Sequence, residues 1–211
     1  MSKAPKGQTL FDLCGGHAAL DLVNSLDHRF RDSGPDERLA SYEDVLRFLQ
    51  ESGLLTPQRV RALAKAVVPD AAERVLRSVR ELREATAAAF YAALEGKPPV
   101  THDVRVLEKY FLDAGRHQEL RWETDPSHQS GLAWQWGRFE TEPEVPVWIL
   151  SQEVADILLS EKGAQVHACK ADTCRWLFLD TSKNHTRRWC NMRVCGNRMK
   201  ARRFQQARRE S

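Results

Sequence analysis

The sequence predicts an α+β protein that is mainly α-helical, with a small antiparallel β portion and a cysteine-bearing module at its C-terminal end. Three observations predict this fold class. Apolar residues recur at helical spacing through most of the first three quarters of the chain, one segment alternates apolar and polar residues, and four of the five cysteines lie within residues 169–195. We therefore expect a helical body over residues 1–162 and the module over residues 163–211.

Start signals and apolar periodicity place the helices of the body. Gly15-Gly16 precedes the first helix, Gly53 ends the second, and residues 96–99 break the chain after the fourth. The predicted helices are, in order, a short one beginning near Ala18, one capped by Ser41, one starting at Pro57, a long amphipathic one over residues 71–94, one capped by Thr101 and one over residues 147–159.

A change of period marks the β portion. Residues 120–123 and 132–139 alternate as strands do, and the polar residues 125–131 between them predict a turn, so we expect an antiparallel hairpin. Residues 27–38 are predicted to form a loop, and residues 160–163 a hinge before the module.

Charge is distributed unevenly along the chain. Its 32 Lys and Arg and 29 Asp and Glu residues give a formal net charge of +3. Residues 169–211 hold twelve basic and three acidic residues, a net charge of +9, whereas residues 1–168 carry −6. The near-neutral total is therefore a cancellation between a mildly acidic body and a basic tail, which favours an anionic partner for the tail.

Composition excludes several classes of protein. A hydrophobic fraction of 42% is too high for an intrinsically disordered chain. Residues 1–16 lack the apolar stretch of a signal peptide, and no segment approaches the roughly 18 apolar residues of a membrane span. We expect a cytoplasmic protein without a membrane partner. In such a reducing compartment, clustered cysteines are more often metal ligands than disulfides.

The clustered cysteines form two matched pairs, Cys169-x4-Cys174 and Cys190-x4-Cys195, separated by fifteen residues. Tetrahedral zinc takes four ligands, with sulfur about 2.3 Å from the metal, and two short-range pairs supply them at low loop-closure cost. We expect one structural Zn²⁺, with a set of buried thiols as the alternative. A strand-like segment at residues 176–180, a turn at 182–185 and a helix over 196–209 predict a treble-clef-like zinc finger.

Two motifs carry a resemblance to known families. The module contains Leu177-Phe178-x-Asp180-x-Ser182-Lys183 after the first cysteine pair, then Arg187-Arg188-Trp189-Cys190-x-Met192 and Cys195-Gly196-Asn197-Arg198. This pattern resembles the CGNR zinc finger, and Gly15-Gly16-x-x-Ala19-Leu20-Asp21-x-Val23-Asn24 resembles the start of the ABATE domain that usually precedes that finger. The resemblance implies a bacterial, stress-induced transcription regulator with the four paired cysteines as zinc ligands.

The basic residues of the finger predict binding to duplex DNA. On a helix from Asn197, a stripe of Arg198, Arg202, Gln205 and Arg209 is separated from Ala201, Phe204 and Ala207, which we expect to pack against the finger or the body. Guanidinium groups can pair with phosphates or with guanine edges in the major groove. The candidate contact residues are Arg187, Arg188, Arg198, Lys200, Arg202, Arg203 and Arg209.

Other interpretations of the same residues stay open. The arginines could be a solvated face or could pair with the acidic body, and the finger could bind RNA or dock a protein instead. An oligomer is compatible with the sequence. No phosphate-binding loop, dinucleotide fingerprint or nucleophile motif is present, and four thiolates leave zinc no open coordination position, so we expect no enzyme.

The first predicted helix suggests a small-molecule effector site. His17, Asp21 and Asn24 recur at i, i+4 and i+7 and so share one helix face, and Arg29 could supply an anion partner. The alternative is that these polar groups cap the helix and bridge to neighbouring segments. A pocket lined by His17, Asp21, Asn24 and the hairpin tryptophans favours sensing, whereas burial of the three residues in mutual hydrogen bonds favours a scaffold role.

Overall fold

The computed structural model of the chain describes residues 10–123, 131–137 and 142–208, which contain seven α-helices and three two-stranded antiparallel sheets. The helices are α1 (Ala18–Asn24), α2 (Tyr42–Glu51), α3 (Pro57–Ala66), α4 (Pro69–Leu94), α5 (Thr101–Arg116), α6 (Val145–Leu158) and α7 (Asn197–Ala207). The strands are β1 (Leu26–Asp27), β2 (Asp36–Glu37), β3 (Gln118–Glu123), β4 (Gly131–Trp136), β5 (Val166–Ala168) and β6 (Leu177–Leu179). The predicted fold class, mainly α with small antiparallel sheets, is confirmed.

Most predicted helix starts are confirmed by the contacts at their first turns. The Ser41 side chain accepts a hydrogen bond from the Asp44 backbone N–H at 3.2 Å, while the Asp44 carboxylate accepts one from the Ser41 N–H at 2.9 Å. The prediction that Thr101 caps α5 is wrong. Val100 is the last extended residue, and α5 begins after it without a side-chain cap, which leaves Thr101 inside the helix.

The core of the body is built around α1. Helices α4, α5 and α6 pack together, and α1 contacts α4, α6 and β6. Residues 19–24 are all buried, and Leu20 and Leu22 are fully so. Burying a leucine side chain contributes about 1.5–3 kcal/mol, so the short helix α1 is stable because of tertiary packing rather than its length.

The β portion differs from the prediction in two places. The hairpin is confirmed, with Leu120 opposite Trp134, but residues 124–130 and 138–139 of the predicted turn and second strand lie outside the described residues. The prediction that residues 27–38 form a loop is wrong at both ends of that segment. The two ends pair with each other, since β1 pairs with β2 and the Arg38 N–H donates to the Ser25 carbonyl. The predicted hinge begins a 3-10 helix over Glu161–Gln165.

The C-terminal module is packed onto the body rather than tethered to it. Leu177 and Leu179 of β6 belong to the same buried apolar cluster as Leu20 and Leu22 of α1. The Leu179 N–H donates to the Gly15 carbonyl at 2.7 Å. The four cysteines therefore lie next to the start of α1. Within the part of the chain that is described, no helix is long and apolar enough to span a bilayer.

Candidate metal centre and nucleic-acid interface

The four paired cysteines converge on one point. The Sγ atoms of Cys169, Cys174, Cys190 and Cys195 all lie within 4.8 Å of one another, and three of the four residues are buried. The Cys174–Cys190 and Cys190–Cys195 Sγ distances are 3.6 and 3.7 Å. A tetrahedron with zinc–sulfur bonds of about 2.3 Å has sulfur–sulfur edges of about 3.8 Å. The donor set therefore fits one structural zinc ion.

Backbone hydrogen bonds hold each pair of cysteines in a tight turn. The Cys169 N–H donates to the Trp176 carbonyl at 2.8 Å, and the Cys174 N–H to the Ala171 carbonyl at 2.9 Å. On the other side, Cys195 lies in a π-helical turn over Met192–Gly196, and its N–H donates to the Asn191 carbonyl at 2.9 Å. The Asn191 side chain accepts from the first N–H groups of this turn, which fixes its start.

The crowded sulfur atoms change one another's acidity. Hydrogen bonds from Cys174 and then from Cys190 lower the pKa of the Cys169 thiol to about 2. Burial raises the pKa of the Cys195 thiol. Several thiolates this close repel one another unless a cation lies between them, so the cluster has the chemistry of a divalent soft-metal site.

A buried carboxylate stabilises the loop between the two pairs. Asp180 is fully buried, and its carboxylate accepts hydrogen bonds from the Ser182 N–H at 2.9 Å and from the Arg187 N–H at 3.0 Å. The hydroxyl and N–H of Ser182 and the N–H of Arg187 hold the pKa of Asp180 below its usual value. Asp180 belongs to the motif that resembles the CGNR zinc finger, and its place directly after an apolar strand and two residues before a serine is typical of an Asx turn.

Arg187 is half-buried in the finger, whereas the other predicted DNA contacts that the structure describes are exposed. Its guanidinium donates to the carbonyls of Trp189 at 3.0 Å, Leu179 at 3.3 Å and Cys14 at 3.1 Å, and also to the Cys190 carbonyl. Its carbon Cζ lies 4.4 Å from the centre of the Phe178 ring. These contacts connect the two halves of the finger and the N-terminal segment, so the guanidinium faces protein groups.

Helix α7 is exposed except at Met199, which is half-buried and packs against the cysteine cluster. It has no buried residue, and with the π-helical turn before it and Arg208 after it, the segment contains basic residues and no acidic one. Its basic residues, together with Arg193 in the turn, are Arg198, Lys200, Arg202, Arg203 and Arg208. Arg188 is also exposed, with its guanidinium 5.5 Å from the Trp189 ring centre. Arg209 lies outside the described residues.

The orientation of α7 differs from the sequence expectation. Phe204 was expected to pack against the finger or the body, but it is 65% exposed, and Ala201 and Ala207 are exposed as well. Instead, Arg202 pairs with Asp172 at 3.2 Å, and Arg198 donates to the Thr173 hydroxyl at 3.5 Å. The expectation is wrong because a different residue of α7, Met199, packs against the cysteine cluster, and the first cysteine turn offers the helix polar partners.

The predicted effector residues occupy two different environments. Asn24 and Asp21 line a cavity of about 270 Å³ between body and finger, together with Arg38 and Trp176. His17 instead caps α1, where its Nδ1 accepts from the Ala19 N–H at 3.3 Å, and Arg29 pairs with Glu84.

The two cavity-lining residues of α1 also bond to backbone groups. Asn24 pairs with the main chain of Leu177 across the boundary between body and finger. Asp21 is 7% exposed, accepts from the Gly15 N–H at 2.7 Å, and has its pKa raised to about 7, chiefly by burial. A β-carbon at Gly15 would lie 2.7 Å from the Asp21 carboxylate, so this Gly-Gly segment is a tight contact with α1.

Comparisons with known families cover nearly the whole chain. Residues 16–161 match the family model named ABATE, described as "putative stress-induced transcription regulator", and residues 165–209 match the model of the CGNR zinc finger. Both matches agree with the resemblance drawn from the motifs, and the two families are regulatory and zinc-binding rather than enzymatic. No curated protein matches the chain.

Proposed function

This chain belongs to the ABATE family and ends in a CGNR zinc finger, and we propose that it is a zinc-dependent transcription regulator whose finger binds duplex DNA. The observation that carries the proposal is the exposed basic helix α7. An α-helix of eleven residues is about 16 Å long and fits the major groove. Met199 packs against the cysteine cluster and anchors the helix in the finger, while the exposed side chains of α7 carry a positive charge that favours a polyanion.

In this proposal the cations divide into two groups. The first group, which contacts the nucleic acid, comprises Arg188, Arg198, Lys200, Arg202, Arg203 and Arg209. Arg187 acts within the protein, because carbonyl groups already accept from its guanidinium. The zinc ion holds the two cysteine turns together and so fixes α7 relative to the rest of the finger.

Fluorescence anisotropy with labelled duplex DNA tests the DNA-binding role. If about six cations meet phosphates, log affinity falls against log salt with a slope of about −5. In the double variant Lys200→Gln/Arg203→Gln, two phosphate contacts are removed, so the slope is expected to change from about −5 to about −3. A matched variant, Arg105→Gln/Lys109→Gln on α5 of the body, keeps the wild-type slope.

The same titration separates duplex DNA from other partners. Single-stranded DNA and duplex RNA at matched salt are expected to bind more weakly than duplex DNA. Tighter binding to RNA than to duplex DNA would show that the finger is an RNA-binding module. Binding to none of the three nucleic acids would favour a finger that docks a protein.

We further propose that the N-terminal domain senses a small molecule in the cavity between body and finger. A ligand there would touch α1 on one side and Trp176 of the finger on the other, so binding would couple to the orientation of the finger. A metabolite screen by thermal shift tests this. A hit whose stabilisation is lost in Arg38→Gln and kept in Arg105→Gln supports the cavity, whereas equal shifts in both variants exclude it.

A further inference from the structure

The hairpin formed by β3 and β4 carries an uncovered apolar face. Leu120 lies opposite Trp134 and Trp122 lies opposite Leu132, and because side chains alternate along a strand, all four share one face. They are 52%, 64%, 65% and 65% exposed, in that order. These are the two tryptophans that are exposed in the part of the chain that the structure describes. We call this set of four residues the hairpin face.

The hairpin face is continuous with a covered apolar surface at its base. Trp136, two residues beyond Trp134 on the same face, stacks on Trp148 of α6 with ring centres 6.5 Å apart. The opposite face is polar, with Glu119 and Arg121 paired at 2.6 Å. The body thus fixes the base of the hairpin and leaves its outer half with an apolar face and a charged face.

The size of the hairpin face matches one half of a protein interface. Two tryptophans and two leucines at these exposures present about 500 Å² of apolar surface, at the upper end of what a monomer exposes in one patch. Two copies of the face would bury about 1,000 Å², where specific interfaces begin. Tryptophan is also the residue most enriched among those that dominate binding energy.

We propose that the hairpin face is a homodimer interface, in which two copies of this chain meet about a two-fold axis. A two-fold contact requires a surface that complements itself, and a face of two Leu–Trp cross-strand pairs without a charged group does so without like-charge repulsion. The lack of charge also disfavours a nucleic acid as the occupant. A two-stranded ribbon is marginally stable alone in water, and a second ribbon on this face removes that weakness.

Sedimentation velocity of the full zinc-loaded chain, from about 1 to about 100 μM, tests the proposal. Wild type is expected to reach twice the chain mass of 24.1 kDa. Trp122→Thr/Trp134→Thr keeps β-forming residues but removes the aromatic rings, and is expected to stay monomeric. The matched control Glu119→Thr/Arg121→Thr changes the opposite face and is expected to remain dimeric. A monomeric wild type at the highest concentration, or a dimeric tryptophan variant, overturns the proposal.

A charge-swap pair keeps the test independent of how well the tryptophan variant folds. Leu132→Glu and Leu132→Lys each place like charges across the proposed axis, so each chain alone is expected to be monomeric. Mixed in equal amounts, they are expected to form a heterodimer. Failure of the mixture to associate would contradict a two-fold contact at this face. The proposal is also overturned if the wild-type chain stays monomeric and pellets with phosphatidylcholine vesicles, because the hairpin face would then bind lipid.

Discussion

The side-chain amide of Asn24 and the main chain of Leu177 hydrogen-bond to each other in both directions, although 153 positions separate them. The Asn24 Nδ2 donates to the Leu177 carbonyl at 2.9 Å, and its Oδ1 accepts from the Leu177 N–H at 2.9 Å. The amide therefore takes the place of a neighbouring strand at β6. It makes α1 of the body and the zinc finger into one hydrogen-bonded unit.

Replacing Asn24 with Ala is expected to destabilise the protein by about 2–4 kcal/mol, because it leaves a buried N–H and a buried C=O of Leu177 unpaired. Urea unfolding followed by circular dichroism measures the loss. Asn184→Ala, at an exposed position of the finger, is the control and should stay within about 0.5 kcal/mol of wild type. An Asn24 variant as stable as this control would mean that the pairing contributes nothing.

Removal of zinc is expected to destabilise the body as well as the finger. Leu177 and Leu179 lie in the main core, so unfolding of the finger exposes apolar surface of α1. We expect one zinc per chain by elemental analysis, and a single thermal transition that a chelator moves to lower temperature. Cys195→Ser should lose zinc and reproduce the shift, whereas Cys14→Ser should keep one zinc. Two separate transitions, with the body unaffected by the chelator, would show that finger and body fold independently.

Asp21 is expected to make stability depend on pH. Burial raises its pKa from 3.8 to about 7 in the folded chain, so the folded state binds a proton that the unfolded state releases. Its contribution is fully present below about pH 4 and is lost as pH rises to about 7, a change of roughly 4 kcal/mol.

The variant Asp21→Asn isolates this effect from titration of the zinc ligands, because it keeps an acceptor for the Gly15 N–H without a charge. The free energy of unfolding of wild type, minus that of the variant, should fall between about pH 4 and about pH 7 and stay level above that. A difference that is constant with pH would show that Asp21 is ionised throughout.

Arg187 and Arg203 are expected to affect different properties of the finger. Arg187→Gln removes donors from the carbonyls of Cys14 and Leu179, so it should lower thermal stability by about 1–3 kcal/mol. Arg203→Gln, on exposed α7, should leave the melting temperature unchanged and weaken DNA binding. Parallel thermal melts and anisotropy titrations measure both. Equal loss of DNA affinity at high and low salt for Arg203→Gln would argue against a phosphate contact.

Local sequence signals predict the order and type of the main helices and strands. Helix starts at Ser41 and Pro57 and the strand pairing of residues 120–123 follow from local backbone chemistry, which acts within a few residues. The zinc site is also local, since two Cys-x4-Cys pairs close short loops around one metal. The prediction at Thr101 failed by one residue, because Val100 is the last extended residue before α5 and the helix starts there without a side-chain cap.

Packing between distant segments determines which polar residues face protein and which face solvent. Arg187 and Arg188 are adjacent cations with the same local sequence signal, yet one is enclosed by carbonyls of distant segments and the other is exposed. Asn24 likewise meets Leu177 only because α1 packs on β6. Periodicity gives the face of a helix but not what lies against it, because that depends on contacts between residues far apart in the chain. The exposure of the hairpin face has the same origin. Trp136 packs on Trp148 of the body, whereas the four residues of the hairpin face extend beyond that contact.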